Sequence, residues 1–172
     1  MSEMETPAIP NAEAALAALA ERMRGAVAFD AAFVGIYSGG AWVAERLAAL
    51  IPGNHSLGFI DVSYYRDDYA RTGLKGGARR SELKFDVDGA TIVLVDDVLY
   101  TGRSVRAAIN ELFDFGRPAK IELAVLIDRG GRELPIEPDY VGARLAVARD
   151  LSIVLSRDGE RLSLGVEPVP ST

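Results

Sequence analysis

The sequence predicts an α/β domain with a mainly parallel central sheet flanked by helices. Apolar segments that fit buried strands alternate along the chain with segments whose apolar residues recur at the helical period. Thr91–Val95 and Ile121–Ile127 are nearly continuous apolar runs, a pattern typical of parallel strands that are buried on both faces. Polar turns follow these strands, and ligands of such sheets bind at this end of the strands.

Length and composition fit a single domain over residues 1–172, with loose tails at residues 1–10 and 167–172. Hydrophobic residues make up 49% of the chain, which is enough for a sizeable core. The chain contains no cysteine and a single histidine. This composition excludes disulfides, thiolate metal sites and sites built from several histidines.

Charge and hydropathy limit the partners of the chain. Its net charge of −6 argues against strong non-specific binding to nucleic acid. No apolar run approaches the ~20 residues that a membrane span requires. The first ten residues are acidic and lack an apolar signal core. We therefore expect a cytoplasmic protein that does not associate with membranes.

The first part of the chain predicts a helix followed by a strand–turn–helix unit. Asn11 suits a helix N-cap, and the apolar residues of Ala14–Met23 share one helix face. Ala31–Tyr37 is apolar and fits a buried strand. The tight turn Ser38–Gly40 follows this strand, and Ala41–Ile51 fits the next helix.

The middle of the chain predicts strands on either side of a long loop. Leu57–Tyr65 is rich in β-branched and aromatic residues, which favours a strand. Arg66–Ser81 is charged and glycine-containing without apolar periodicity, so we expect a mobile loop of the kind that covers a binding site. Leu83–Val87 then predicts a short strand, and an Asp-Gly turn leads into Thr91–Val95.

The last part of the chain predicts a helix, two strands and a hairpin. The apolar positions between Val105 and Phe113 lie on one helix face, and a Gly-Arg-Pro turn ends this helix. Ile121–Ile127 and Tyr140–Ala143 follow as strands. Leu151–Leu155 and Arg161–Leu164 flank an Asp-Gly turn and predict a hairpin.

The stretch Thr91–Ser104 carries the clearest chemistry. Its strand is followed by two adjacent carboxylates, Asp96 and Asp97, and then by the polar turn Thr101–Ser104. Backbone N–H groups at the start of a helix lack partners and the helix dipole favours an anion, so this turn suits a phosphate. The carboxylates repel each other, and ribose hydroxyls or a hydrated Mg²⁺ would stabilise them. The alternative is a plain strand-to-helix turn.

This stretch resembles the phosphoribosyl pyrophosphate (PRPP) loop of type I phosphoribosyltransferases. In that loop a hydrophobic strand, two acidic residues and a Thr-Gly-x-Ser/Thr turn follow one another. The resemblance implies the type I phosphoribosyltransferase fold with a small hood, and it implies that Asp96 and Asp97 bind the ribose. The residues it assigns to the 5′-phosphate are Tyr100, Thr101, Gly102, Arg103 and Ser104.

Further segments resemble one branch of that superfamily, the PyrR family of pyrimidine operon regulators with uracil phosphoribosyltransferase activity. The match runs through roughly residues 30–145, in the segments YYRDD, VLYTGRSVRAA, GRPA, LAVLIDRG and RELPI. It implies an enzyme that forms UMP and diphosphate from uracil and PRPP. It also implies Mg²⁺ held through PRPP, without a dedicated protein ligand, and a homodimer or higher homo-oligomer.

The resemblance assigns three residues to pyrophosphate. Arg66 would meet the pyrophosphate as the loop closes, and an ion pair with Asp67 or Asp68 is the alternative. Ser38 and Gly39 lie in the pyrophosphate turn, although a simple strand-to-helix turn has the same spacing. Better-known members carry Thr-Arg-Gly there, so we expect an arginine at position 39 to raise turnover if its absence limits the rate.

The segment after Ile127 is expected on the uracil and pyrophosphate side of the site, with Arg129 as its candidate residue. Gly131 stands where better-known members have a histidine. Arg132 and Glu133 are expected to pair with each other. Asp61 would either bind Mg²⁺ through water or make a hydrogen bond at the end of its strand.

The resemblance leaves three functions open. The first is the uracil phosphoribosyltransferase. The second is a regulator that binds pyrimidine operon leader RNA when UMP or UTP occupies the site, for which a basic concave surface is needed and the acidic chain is unfavourable. The third is a phosphoribosyltransferase for another base.

Overall fold

Three helices and eight strands occur in residues 8–63 and 81–170, the part of the chain described by the structure, a computed structural model. The helices are α1 (Ala12–Met23), α2 (Gly39–Leu50) and α3 (Arg103–Phe115). The strands are β1 (Ala32–Ile36), β2 (Leu57–Ile60), β3 (Glu82–Leu83), β4 (Thr91–Leu99), β5 (Lys120–Asp128), β6 (Tyr140–Arg144), β7 (Leu151–Asp158) and β8 (Arg161–Pro168).

Six of these strands form one sheet in the order β3-β2-β1-β4-β5-β6. All neighbours from β2 to β6 are parallel, and β3 pairs antiparallel with β2. The carboxyl ends of the five parallel strands therefore lie at the same edge of the sheet. The predicted α/β fold with a mainly parallel sheet is confirmed.

Helices cover both faces of the sheet. The apolar faces of α1 and α2 lie in one cluster, where Leu19, Met23 and Leu47 are fully buried. The apolar face of α3 lies in the other, where Leu112 and Leu94 are buried together. The helical spacing of apolar residues thus faces the sheet, as predicted. None of the described helices has the length and hydropathy needed to cross a membrane.

The β7–β8 hairpin forms a small separate sheet that packs beside α1. Leu155 and Leu162 of the hairpin are buried in the α1 and α2 cluster. The Arg46 guanidinium donates hydrogen bonds to the Glu13 carboxylate (2.9 Å) and to the Glu160 carbonyl (2.7 Å). Its bond to the carboxylate is the main reason why the pKa of Glu13 is lowered. These contacts join the hairpin to both helices.

Most of the predicted long loop lies outside the residues that the structure describes. β2 ends at Ile60, and residues 64–80, which include most of that loop and its Arg66, lie outside the described residues. β3 is two residues long, which is shorter than predicted. The chain turns soon after it, where the Asp86 carboxylate accepts the N–H of Asp88 (3.0 Å).

Candidate active site at the carboxyl edge of the sheet

Three turns meet at the carboxyl edge, because β1, β4 and β5 are neighbours in the sheet. They are the turn after β1, the turn after β4 and the loop after β5. Gly39 closely approaches Asp97, and Tyr100 stacks on Arg129, so the turns touch. The structure brings the sequence-predicted site residues to this edge, apart from Arg66, which lies outside the described residues.

The acidic pair belongs to β4 itself, which continues past its predicted end at Val95 as far as Leu99. β5 pairs with this extension at Asp96, Val98 and Leu99, whereas β1 pairs with β4 only as far as Val95. Asp96 and Asp97 therefore stand just beyond the end of β1, beside the turn that follows it.

Both carboxylates accept backbone hydrogen bonds. Asp96 Oδ1 accepts the N–H of Asp97, and Asp97 Oδ1 accepts the N–H of Val98, each at 2.8 Å. Asp96 is buried and Asp97 is half-buried. Hydrogen bonds from N–H groups stabilise an ionised carboxylate. Each carboxylate still has lone pairs that accept hydrogen bonds from the hydroxyls of a sugar.

The start of α2 packs directly against this acidic pair. A Cβ at Gly39 would lie 2.7 Å from Asp97 Cγ, and one at Gly40 would lie 2.5 Å from the Val95 carbonyl oxygen. Close approach to the backbone therefore requires glycine at position 40, whereas a Cβ at position 39 would require the Asp97 side chain to move. The expectation that an arginine at position 39 raises turnover stays a prediction, and the geometry argues against it, because the added Cβ would have to displace the Asp97 side chain.

The positive end of α2 is suited to an anion. Ser38 is its N-cap, but the serine side chain makes no capping hydrogen bond. The first turn of α2 contains no acidic residue. The peptide bond between Tyr37 and Ser38 is cis. The backbone N–H groups of this turn and the helix dipole together favour a negatively charged ligand.

The turn between β4 and α3 is a second place for an anion. α3 begins at Arg103, and its N-cap is Gly102, whose φ of +94° favours glycine. No acidic residue lies in the first turn of α3. A cavity of about 60 Å³ lies beside this turn, and Asp96, Thr101 and Ser104 are among the polar residues that line it. A small cavity at a helix start fits a phosphate group.

Arg129 is turned toward the hairpin. Its guanidinium donates hydrogen bonds to the carbonyls of Leu151 (2.9 Å) and Ala148 (3.1 Å), and it lies 3.9 Å from the centre of the Tyr100 ring. Its Nε is buried without a hydrogen-bond partner among the described residues. Arg129 thus connects the hairpin to the turn after β4. Its role on the uracil and pyrophosphate side stays a prediction.

The predicted pair of Arg132 and Glu133 is wrong. Arg132 Nη2 donates to Asp128 Oδ2 (2.8 Å), and Glu133 Oε1 accepts a bond from Arg103 Nε (3.2 Å). Burial alone would raise the pKa of Asp128, but a backbone N–H and the guanidinium groups of Arg132 and Arg144 lower it below its ordinary value. Asp128 was missed by sequence reasoning, although an acid between an apolar run and several arginines was a usable signal.

The ring of Tyr100 takes the space beside Gly131. Gly131 has a φ of +77°, and a Cβ there would lie 2.8 Å from Tyr100 Cδ1. A histidine at this position would therefore require Tyr100 to move. Better-known family members have a histidine at position 131, and the glycine found here leaves space for the Tyr100 ring.

Asp61 makes local hydrogen bonds at the end of β2. Its Oδ1 accepts the N–H of Ser63 (2.8 Å), and its own N–H donates to Ser81 Oγ (3.2 Å), while the Ser81 hydroxyl donates to Glu111. Of the two alternatives for Asp61, the structure shows the strand-end hydrogen bond. Across residues 8–63 and 81–170, no group of three or more His, Cys, Asp or Glu side chains is arranged to hold a metal ion.

Comparisons with known proteins show which proteins the chain is similar to. A family model for the phosphoribosyl transferase domain matches residues 5–149. The chain is 55% identical over 148 residues to Bifunctional protein PyrR of Ralstonia nicotianae, covering 86% of this chain and 84% of that protein. It is 53% identical over 123 residues to Bifunctional protein PyrR of Pseudomonas aeruginosa, covering 72% of each chain.

Solved structures share the fold. A hypoxanthine-guanine phosphoribosyltransferase from Bacillus anthracis aligns with a TM-score of 0.67 and 16% identity, over 90% of this chain and 95% of that one. A hypoxanthine phosphoribosyl transferase from Trypanosoma cruzi aligns with a TM-score of 0.65 and 20% identity, over 95% of this chain and 94% of that one. At these identities the likeness concerns the fold alone.

Proposed function

The chain belongs to the PyrR family of type I phosphoribosyltransferases, and we propose that it forms UMP and diphosphate from uracil and PRPP. One observation carries this proposal. The acidic pair of buried Asp96 and half-buried Asp97 stands between two helix starts that lack acidic residues, those of α2 and α3. A sugar that bears a phosphate at one end and a diphosphate at the other matches this arrangement.

The three parts of PRPP are assigned to three neighbouring groups. The 5′-phosphate lies at the start of α3, bound by the turn Tyr100–Ser104. The ribose hydroxyls donate hydrogen bonds to Asp96 and Asp97. The pyrophosphate lies at the start of α2, against Ser38 and Gly39, and Arg66 is proposed to join it from the part of the chain that is not described. Each helix start adds a favourable dipole to its anion.

The reaction breaks the bond between ribose C1 and the diphosphate oxygen and forms a bond from C1 to uracil N1, whose proton leaves to solvent. Positive charge develops on the ribose as diphosphate departs. The protein positions the two reactants and stabilises the leaving charge, without a covalent nucleophile. The α2 start stabilises the leaving diphosphate, and the carboxylates of Asp96 and Asp97 lie near the developing positive charge.

Mg²⁺ accompanies PRPP in this proposal and supplies positive charge that neutralises the diphosphate. Carboxylate oxygens are the donors that this ion prefers, and it commonly retains several waters. The carboxylates of Asp96 and Asp97 at the carboxyl edge fit such an ion. We propose that oxygens of PRPP and water supply most of its ligands, with those carboxylates nearby.

A second function is supported by the names of the relatives, which describe PyrR as bifunctional. We propose that the chain also regulates pyrimidine biosynthesis genes by binding leader RNA when UMP or UTP occupies the site. A homodimer or higher homo-oligomer would provide the surface for RNA. The exposed aromatic side chains of Phe113 and Phe115 on α3 support such an assembly, since large apolar groups are often covered at interfaces.

The test is formation of UMP from uracil and PRPP with Mg²⁺, with orotate, hypoxanthine, guanine and adenine as parallel acceptors. Turnover with uracil alone is the expected result. Turnover with another base instead would replace uracil as the substrate. If the chain binds UMP but turns over none of the bases, it is a nucleotide-sensing regulator and the proposed enzyme activity is wrong.

A further inference from the structure

We propose that Arg132 is a positioning residue that holds the turn after β4 in its phosphate-binding conformation without touching the substrate. This inference rests on the proposed function, because it takes Tyr100–Ser104 as the site of the 5′-phosphate. Arg132 belongs to the loop after β5, and the segment 132–136 of that loop is called the support loop below.

The guanidinium of Arg132 joins three parts of the chain. Its Nη1 donates to the Tyr100 carbonyl (2.9 Å), its Nε donates to the Ile136 carbonyl (2.8 Å), and its Nη2 donates to Asp128 Oδ2 (2.8 Å). The side chain is 15% exposed. Because the guanidinium is a rigid planar fork, these three bonds fix the relative positions of the end of β4, the end of β5 and the support loop.

The rest of the support loop touches the same turn. The Thr101 carbonyl accepts the N–H groups of Glu133 (3.0 Å) and Leu134 (3.2 Å). Ile136 lies against Gly102, where a Cβ would come within 3.1 Å of Ile136 Cβ. The turn is therefore fixed by hydrogen bonds and by contact along one side.

These bonds matter for anion binding because carbonyl oxygens carry partial negative charge and repel a phosphate. The carbonyls of Tyr100 and Thr101 both accept hydrogen bonds from the support loop, so they face the loop rather than the ligand. Arg132 is not among the residues that line the small cavity beside the turn. It acts on the phosphate site through Tyr100, which makes it a positioning residue.

Arg144 provides a matched control. The Asp128 carboxylate, which is 3% exposed, accepts bonds from both Arg132 and Arg144, the second at 2.6 Å. Loss of either arginine removes one guanidinium from the same carboxylate. Arg132 also donates to the turn after β4, whereas Arg144 donates to Asp128. A comparison of the Arg132 and Arg144 variants therefore distinguishes the loss of support for the turn from the loss of a positive charge beside Asp128.

The experiment measures binding of PRPP and of ribose 5-phosphate by calorimetry for wild type, Arg132→Gln, Arg132→Lys and Arg144→Gln, with thermal unfolding of each. We expect both Arg132 variants to bind both ligands about tenfold more weakly, the loss expected for a hydrogen bond from a charged donor. Arg144→Gln should bind within about twofold of wild type, since it leaves the turn untouched.

Arg132→Lys separates positioning from a purely structural role. Its ammonium still pairs with Asp128, so its unfolding temperature should stay near that of wild type, but one ammonium does not replace the fork that reaches Tyr100. Restored affinity in this variant would overturn the inference, as would a loss confined to PRPP, which would place Arg132 at the pyrophosphate. If wild type binds neither ligand, the proposed function itself fails, and this inference falls with it.

Discussion

The turn after β1 and the turn after β4 both open a helix at the same edge of the sheet, yet they are held in different ways. The turn after β1 is held by contact, because Gly39 and Gly40 lie against β4 with no space for a Cβ. The turn after β4 is held by hydrogen bonds, because the carbonyls of Tyr100 and Thr101 accept bonds from the support loop.

This difference teaches that one fold can prepare a helix start for an anion by two routes. A turn that is held by contact tolerates no added atoms, since packed interiors have little free space. A turn that is held by hydrogen bonds depends on its donors instead. Substitutions of glycine should therefore do most harm in the first turn, and loss of donors should do most harm in the second.

The largest effect is expected for Gly40→Ala. The added Cβ would meet the carbonyl oxygen of Val95, a backbone atom that cannot rotate away. We expect the free energy of unfolding to fall by about 1–3 kcal/mol, and UMP formation to be lost. Denaturant unfolding measures the first, with Gly165→Ala in β8 as control, where nothing lies within 4 Å of an added Cβ. Equal stability of the two variants would contradict the close contact between position 40 and the Val95 carbonyl.

Gly39→Ala should act on affinity more than on stability. Its Cβ would meet the side chain of Asp97, which can turn away from the ribose position. We expect about tenfold weaker binding of PRPP, equivalent to about 1.4 kcal/mol, with stability closer to wild type than that of Gly40→Ala. Calorimetric titration checks this. Higher turnover in Gly39→Arg would show that the space beside Asp97 is less restricted than the structure indicates.

Gly102→Ala probes the turn after β4. Its φ of +94° costs an alanine about 1–2 kcal/mol, and Ile136 adds crowding. Gly159→Ala is the control, because Gly159 also has a positive φ (+60°) but nothing within 4 Å of an added Cβ. Both variants should lose stability in urea unfolding, whereas PRPP binding should weaken severalfold in Gly102→Ala alone. Equal PRPP affinities in the two variants would count against a phosphate at this turn.

The smallest expected effect is the change in stability between pH 7 and about pH 5 that comes from the ionisation of Asp128. Because its pKa is lowered in the folded state, its charge stabilises the fold above the ordinary value of 3.8, and this contribution is lost as pH falls through the folded pKa. The stability difference between wild type and Asp128→Asn should be constant from pH 7 to about pH 5 and shrink below pH 3.8. Urea unfolding across this range tests it, and a difference that persists in acid would contradict the assignment.

Local pattern was sufficient to predict the strand β4 and the helix that follows its turn. Ile92–Val95 is apolar at every position, as a doubly buried strand requires, and the glycine after Thr101 marks the start of α3. The carboxylates were expected after the strand, but they lie within it, because the length of β4 is set by its pairing with β5. Because the length of β4 depends on the neighbouring strand β5, it could not be predicted from the local sequence.

Contacts between distant segments were beyond sequence reasoning. The approach of Gly39 to Asp97 depends on how α2 sits against β4, so the spacing of residues gives no sign of it. Arg132 and Glu133 were expected to pair because they are adjacent and opposite in charge. Instead, Arg132 donates a hydrogen bond to the buried carboxylate of Asp128. Glu133 accepts a hydrogen bond from Arg103, which lies nearby.

The most direct test of the central claim is titration of PRPP into the double variant Asp96→Asn, Asp97→Asn, followed by calorimetry with wild type as reference. Asparagine keeps the size of each side chain but loses the charge and one acceptor that the ribose hydroxyls require. We predict that PRPP binding is lost while the circular dichroism spectrum and unfolding temperature stay close to those of wild type. Unchanged affinity for PRPP in this folded variant would contradict the assignment of the acidic pair to the ribose.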